Sequence, residues 1–215
     1  MLSTTSPKKL ISISRHALVY AVLSLSCISA LQADDWKPDE GFKSLFNGKD
    51  LTGWSFRAKV PRKSPEIGKV IEDFKGKVQS DELRRYSVKD GIIRVNYPDE
   101  KDRITGQMYT VAEFSTDFVL KLEFRAGVGA DSGIFVRRPQ LQCRDYLVAG
   151  PYKELKKYKP QEWNKITVVV KDGVAHCTCN GEVLEEALKL PTKGPIGLEG
   201  DKGLMEYRHI QIKVD

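Results

Sequence analysis

From Asp117 to Arg125 the chain alternates apolar and polar residues without a break, and that period of two constrains the fold more than any other feature. Phe118, Leu120, Leu122 and Phe124 fall on one face, Val119, Lys121, Glu123 and Arg125 on the other. A strand of this kind packs one side on a core and shows the other to water or a ligand. Similar stretches are Tyr86 to Val88 with Ile92 to Val95, Gly133 to Arg138, Leu141 to Tyr146, Asn164 to Val170, Ala175 to Cys179 and Glu182 to Leu184. Between them stand Asp90-Gly91, Asp172-Gly173 and Asn180-Gly181, residue pairs that supply the positive φ of a two-residue hairpin. Helical periodicity is scarce. The expected fold class is all-β, a two-layer sandwich of short antiparallel strands.

The first sixteen residues carry Lys8, Lys9, Arg15 and His16 and no acid, and lead into an apolar run from Ala17 to Ala30. That order is the signature of a secretory leader, and the run is shorter than the roughly 20 residues of a spanning helix. Residues 1–33 are therefore expected to be a signal peptide cleaved after Ala33, leaving 34–215 as one domain, periplasmic or secreted, with no stable membrane anchor. A lipoprotein signal would want leucine three residues before Cys27, where Ser24 stands. Lys8, Lys9 and Arg15 supply half of the formal net charge of +6, and no Lys/Arg cluster interleaved with stacking aromatics occurs, so no nucleic-acid partner is expected. Outside the leader are Cys143, Cys177 and Cys179. They read either as small buried hydrophobes or as one bridge from Cys143 to one of the pair. The stretch 58–85, with Pro61, Pro65, Gly68 and Gly76 among many charges, reads as a long loop insertion. It is either functional or a solvated excursion with one short helix near Val78 to Leu83.

Ordered blocks then carry a resemblance. Gly41 to Trp54 (GFKSLFNGKDLTGW) is similar to the opening signature of the 3-keto-disaccharide hydrolase family. The likeness continues through Val88 to Gly91, Asp117 to Arg125, Asp131 to Ile134, Glu162 to Asn164, Asn180-Gly181, Gly194 to Leu198 and Glu206 to Ile210. The resemblance implies a concanavalin-like jelly roll of two curved antiparallel sheets and an exported protein that acts on or binds saccharides. Trp54 in the signature either packs on a sheet edge or stacks on a sugar.

The family's named reaction begins from a glycoside oxidised at C3. The ketone acidifies the C2 hydrogen, a base removes it, an enolate forms and the aglycone leaves from C1, after which water can add. Such a site needs a base and a group that steadies the oxyanion, a role a divalent metal could also fill. The candidate base is Glu199 or Asp145. Arg137 is assigned to the enolate charge, and Glu123, Arg125, Gln142 and Asp201 to substrate binding. If the faces carrying Glu123 and Arg125, Phe135 and Arg137, and Gln140, Gln142 and Arg144 line one sheet, they form a polar groove. Alternatively Glu123 belongs to a ladder of cross-strand ion pairs with the arginines. Two departures bear on the chemistry. The family pattern Glu-x-Gln-x-x-Asp becomes Gln140-x-Gln142-x-x-Asp145, and the Gln-Asp-His that follows the Gly-Pro-Ile-Gly-Leu block becomes Glu199-Gly200-Asp201. Glu199 and Asp201 either supply the missing function or are polar turn residues. A noncatalytic carbohydrate-binding domain on the same scaffold is the alternative function.

Overall fold

The computed structural model describes residue 1 and residues 35–58, 68–73, 85–95, 107–148 and 151–215. The chain divides into two units, Met1–Gln32 and Ala33–Asp215. All of the expected leader but Met1, most of the 58–85 insertion and the short helix expected near Val78 lie outside the described residues.

Among the described residues the strands are, in order, β1 (Lys43–Ser44), β2 (Trp54–Arg57), β3 (Val70–Asp73), β4 (Tyr86–Lys89), β5 (Ile92–Val95), β6 (Met108–Thr110) and β7 (Phe118–Ala126). They continue with β8 (Gly133–Val136), β9 (Gln140–Gln142), β10 (Asn164–Lys171), β11 (Val174–Cys179), β12 (Glu182–Lys189), β13 (Ile196–Leu198) and β14 (Met205–Val214). One sheet has eight strands, ordered β12-β11-β10-β7-β14-β5-β4, with β1 added to β14. The other has six, ordered β3-β2-β6-β13-β8-β9. The paired strands are antiparallel throughout, so the all-β sandwich of two antiparallel sheets is the observed fold.

The period of two becomes burial directly. Along β7, Phe118, Leu120, Leu122 and Phe124 are buried and the residues between them are half-exposed. The three hairpins turn where expected: Asp90-Gly91, Asp172-Gly173 and Asn180-Gly181 all have positive φ, which matches the twist of the strands they join. Trp54 is fully buried on β2, so its role is packing. Cys143, Cys177 and Cys179 are buried free thiols, pushed up in pKa by burial.

Two phenols tie the sheets together at one place. Tyr86 of β4 donates its hydroxyl to the Leu198 carbonyl (2.9 Å) and Tyr207 of β14 to the Gly133 carbonyl (3.4 Å). Both acceptors belong to the six-stranded sheet and flank the first residue after β13, Glu199. The Glu199 amide donates to the Gly133 carbonyl (2.9 Å), and the Ser132 hydroxyl donates to the Glu199 carbonyl. The backbone that carries this acid is thus fixed from the core side.

Candidate active site

The strands of the six-stranded sheet turn Trp54, Phe56, Met108, Ile134, Val136, Leu141, Ile196 and Leu198 into the core. Alternation therefore sends Tyr109 of β6, Gly197 of β13, Phe135 of β8 and Gln140 and Gln142 of β9 to the other face. Register aligns them: Gly197 lies opposite Tyr109 on one side and Phe135 on the other, and Phe135 opposite Gln140. Two residues past Gly197 and just beyond β13, Glu199 continues this face.

Glu199 is held by two amides. Gln107 donates Nε2 to its Oε1 (3.4 Å), and Gln140 donates Nε2 to its Oε2. Gln140 reaches from β9 across β8 because residue 133 is glycine: a Cβ there would sit 2.6 Å from Cγ and Nε2 of Gln140. Gln107 is oriented in turn by the Tyr109 hydroxyl, which donates to its Oε1 (2.9 Å) and leaves the amide hydrogens for the acid. Burial, then the negative charge of Asp201, with a further contribution from Asp131, push the Glu199 carboxyl up to about 7; the Gln107 hydrogen bond opposes them. An acid of ordinary pKa has become a group that changes charge near neutrality.

Beside it, Arg144 donates Nη1 to Gln142 Oε1 (3.1 Å) and pairs through Nη2 with Asp131 (3.2 Å). With its oxygen engaged, Gln142 keeps its amide hydrogens as donors on the same face as Glu199. Asp131 and Asp201 act on the charge of Glu199, yet among the described residues no three His, Cys, Asp or Glu side chains are grouped to hold a metal ion. The divalent metal raised by the sequence is not fitted by these residues.

Of the residues selected from sequence, Glu199, Asp201 and Gln142 come together here, with Gln140. Glu123 and Arg125 do not join them. Their strand, β7, belongs to the eight-stranded sheet, and its core face lies between them and Glu199. Both stand in a ladder with β14: Glu123 pairs with Arg208 (2.8 Å) and His209 (3.2 Å), and Arg125 with Glu206 (2.5 Å). Trp163 is flanked by the Arg125 and Arg208 guanidinium groups at 4.7 and 4.1 Å from its ring centre. The ion-pair ladder is observed, with Arg208 in place of Arg137. The groove expected to join these faces is not formed.

Hydrogen bonds from His209 and Arg208 pull the Glu123 carboxyl down to about 2 despite partial burial. Its folded pKa is depressed, so its stabilisation is present above the ordinary value near 4.5 and is lost as pH falls towards about 2. Glu123→Gln is expected to cost roughly 1–2 kcal/mol at pH 7 and about a quarter of that at pH 2.5, where the folded carboxylate is still largely ionised, read from denaturant midpoints, with turnover unchanged within about twofold.

Arg137 ends β8 with φ of 58°, which breaks the alternation and turns its guanidinium inward. It donates to the Pro191 carbonyl (3.0 Å) and the Thr116 carbonyl (2.6 Å) and lies over the Phe118 ring. It clamps two loops rather than facing Glu199. Asp145 is buried as well, accepting from Gly129 N (3.1 Å), Gln161 Nε2 (3.3 Å), Leu147 N (3.4 Å) and the Tyr158 hydroxyl (3.4 Å). Those donors make it the organiser of the loops that carry Gly129, Leu147 and residues 158–161. Sequence reasoning missed Gln107 and Tyr109. Their only signal is a four-residue alternation, Gln107, Tyr109 out and Met108, Thr110 in, too short to read as a strand by itself.

One solved structure shares this architecture at a TM-score above 0.5. A candidate glycosyl hydrolase from Parabacteroides distasonis ATCC 8503 superposes with a TM-score of 0.58 at 21% identity, over 82% of this chain and 95% of that one. A second candidate glycosyl hydrolase from the same organism matches at 23% identity, TM-score 0.49, over 60% and 90% of the two chains. The alginate lyase from a Corynebacterium species matches at 9% identity, TM-score 0.48, over 77% and 95%. No curated protein matches. The family model described as the 3-keto-alpha-glucoside-1,2-lyase-like domain, whose name implies a glycoside lyase or hydrolase, matches residues 41–213, and the chain belongs to that family.

Proposed function

We propose that this chain is an exported enzyme that cleaves 3-keto-glycosides by elimination across C1 and C2, with Glu199 as the base. The observation that carries the reading is the Glu199 carboxyl itself: half-buried on an open sheet face, held by Gln107 and Gln140, and poised at about 7. A general base is most effective when its pKa lies near the working pH. The leader pattern at the N-terminus supports export.

In this reading Glu199 takes the C2 proton, and the electron pair moves to the C3 oxygen as an enolate. When the carbonyl re-forms, C1 and C2 become doubly bonded and the C1–O bond to the aglycone breaks. The departing alkoxide takes up a proton, which Glu199 now holds. Gln142, its oxygen engaged by Arg144, supplies amide hydrogens to the developing enolate or to a neighbouring hydroxyl. Asp201 raises the base strength of Glu199 by its charge. Asp145, Arg137, Glu123 and Arg125 take no part, since each is engaged elsewhere.

Purified 34–215 incubated with 3-keto-disaccharides is expected to release the aglycone sugar, and to leave the unoxidised disaccharides intact. Binding of ordinary saccharides without turnover of the keto substrate would instead establish the noncatalytic domain. Because the base works only when ionised, kcat/KM is expected to rise with pH and level off above an apparent pKa near 7. A rate independent of pH between 5.5 and 8.5 would remove Glu199 from that role.

A further inference from the structure

Tyr109 and Phe135 stand on the same sheet face as Glu199, and apart from the Tyr109 hydroxyl that orients Gln107 neither ring is used by the elimination. Their strands flank β13, and the residue between them is Gly197. A Cβ on Gly197 would fall 2.6 Å from Cδ1 and Cε1 of Tyr109 and 3.1 Å from Cβ of Phe135. The two rings therefore close over the glycine backbone, with centres 5.7 Å apart and planes tilted by 48°. The other aromatic residues in the strands of this sheet, Trp54 and Phe56, are buried in the core, whereas Tyr109 and Phe135 are half-exposed. A pair of large rings left partly open to solvent beside a poised acid calls for an occupant.

We propose that Tyr109 and Phe135 form the seat on which the substrate's sugar ring stacks, so that its C2 hydrogen meets Glu199. This rests on the reading of Glu199 as base. A pyranose has an apolar face of C–H bonds and a rim of hydroxyls, and it needs an aromatic platform bordered by hydrogen-bonding groups. The platform here is bordered by Gln107, Gln140 and Glu199. The aromatic face is electron-rich and attracts polarised C–H groups, which a neighbouring ketone makes more polarised. The seat is also rigid. The Tyr109 hydroxyl is bonded to Gln107, and burial and the Glu199 charge push its pKa up to about 12, so it remains a donor. Little side-chain freedom is lost when a ring lands there.

The test uses Glu199→Gln as a non-turnover background and measures binding of a disaccharide and its 3-keto derivative by calorimetry. Adding Phe135→Leu, which keeps the bulk and removes the aromatic face, is expected to weaken binding about tenfold. Phe135→Tyr is expected to restore it within about threefold, and the melting temperature of both is expected to stay within about 2 °C of the parent. Gly197→Ala, which wedges the rings apart from below, is a second route to the same loss. Unchanged affinity in the Leu and Ala variants overturns the seat, and so does a parent that binds neither sugar. The seat and the base fail separately. A wild-type protein that turns over no keto-sugar, yet loses saccharide binding with Phe135→Leu, keeps the seat and loses the lyase reading. Turnover abolished by Glu199→Gln with binding indifferent to Phe135→Leu does the reverse.

Discussion

Glu199→Gln is expected to lower turnover of a 3-keto-disaccharide by about 10³-fold, within the roughly 10²–10⁴ range of a lost general base, and to make the protein more stable at pH 8. Both effects come from one environment. Burial and the charge of Asp201, with Asp131 adding to them, disfavour the ionised carboxyl. Below about pH 4.5 the acid is neutral both folded and unfolded and its pKa shift contributes nothing. Between there and about pH 7 the folded chain keeps a proton that the unfolded chain releases. Stability falls as pH rises across that window, and the deficit is complete above it. The shift corresponds to about 3 kcal/mol, and partial exposure brings it to roughly 1–3 kcal/mol. Glutamine has no charge to bury. The variant should melt about 3–8 °C above the wild type at pH 8 and close to it at pH 4.5, as read by thermal scans. An inactive variant that melts lower than wild type at pH 8 would mean that Glu199 is held ionised at little cost, and its suitability as a base near neutrality would go with it. A burial cost of this kind, tolerated at the proposed base, is what a trade of stability for activity would look like.

The alternation along Asp117 to Arg125 identified which residues of that strand face out, and burial along β7 agrees residue by residue. What alternation cannot say is outward from which sheet. The chain leaves β7 through the turn at Val128 and Gly129 and enters β8 in the opposite sheet, so Glu123 and Gln140 share polarity and outward direction while the core lies between them. A period of two is local, and sheet membership is decided by pairing partners distant in sequence. Arg137 leaves this face for a different reason. Its left-handed backbone ends the strand and reverses the side chain, and nothing in Phe135-Val136-Arg137-Arg138 announces an arginine with positive φ. Glu199 was legible as a departure from a family pattern, as was Gln140. Their contact was not, because it depends on the order β13-β8-β9 and on a missing Cβ at Gly133.

That contact gives the two departures one explanation, which a reciprocal exchange tests. The resembled pattern has an acid at the position of Gln140 and an amide at that of Glu199. Here the acid and the amide stand the other way round and touch, Gln140 donating to Glu199 across Gly133. One carboxylate and one amide therefore remain at the same point of the sheet face, with the acid supplied from β13 instead of β9. If the site needs an acid there and not a particular strand, Gln140→Glu combined with Glu199→Gln should recover about 10–10²-fold of the activity lost in Glu199→Gln alone, a non-additivity expected of residues in contact. The pH profile of the double variant is the more demanding readout. Residue 140 is exposed where Glu199 is only half-exposed, so a carboxylate there is better solvated and less destabilised by burial. The rising limb of kcat/KM should accordingly move to lower pH than in the wild type. An acid at 140 that restores turnover with the limb still near 7 would mean that the limb reports another group. A double variant no better than Glu199→Gln would mean that only β13 presents the acid at an angle from which it reaches the C2 hydrogen.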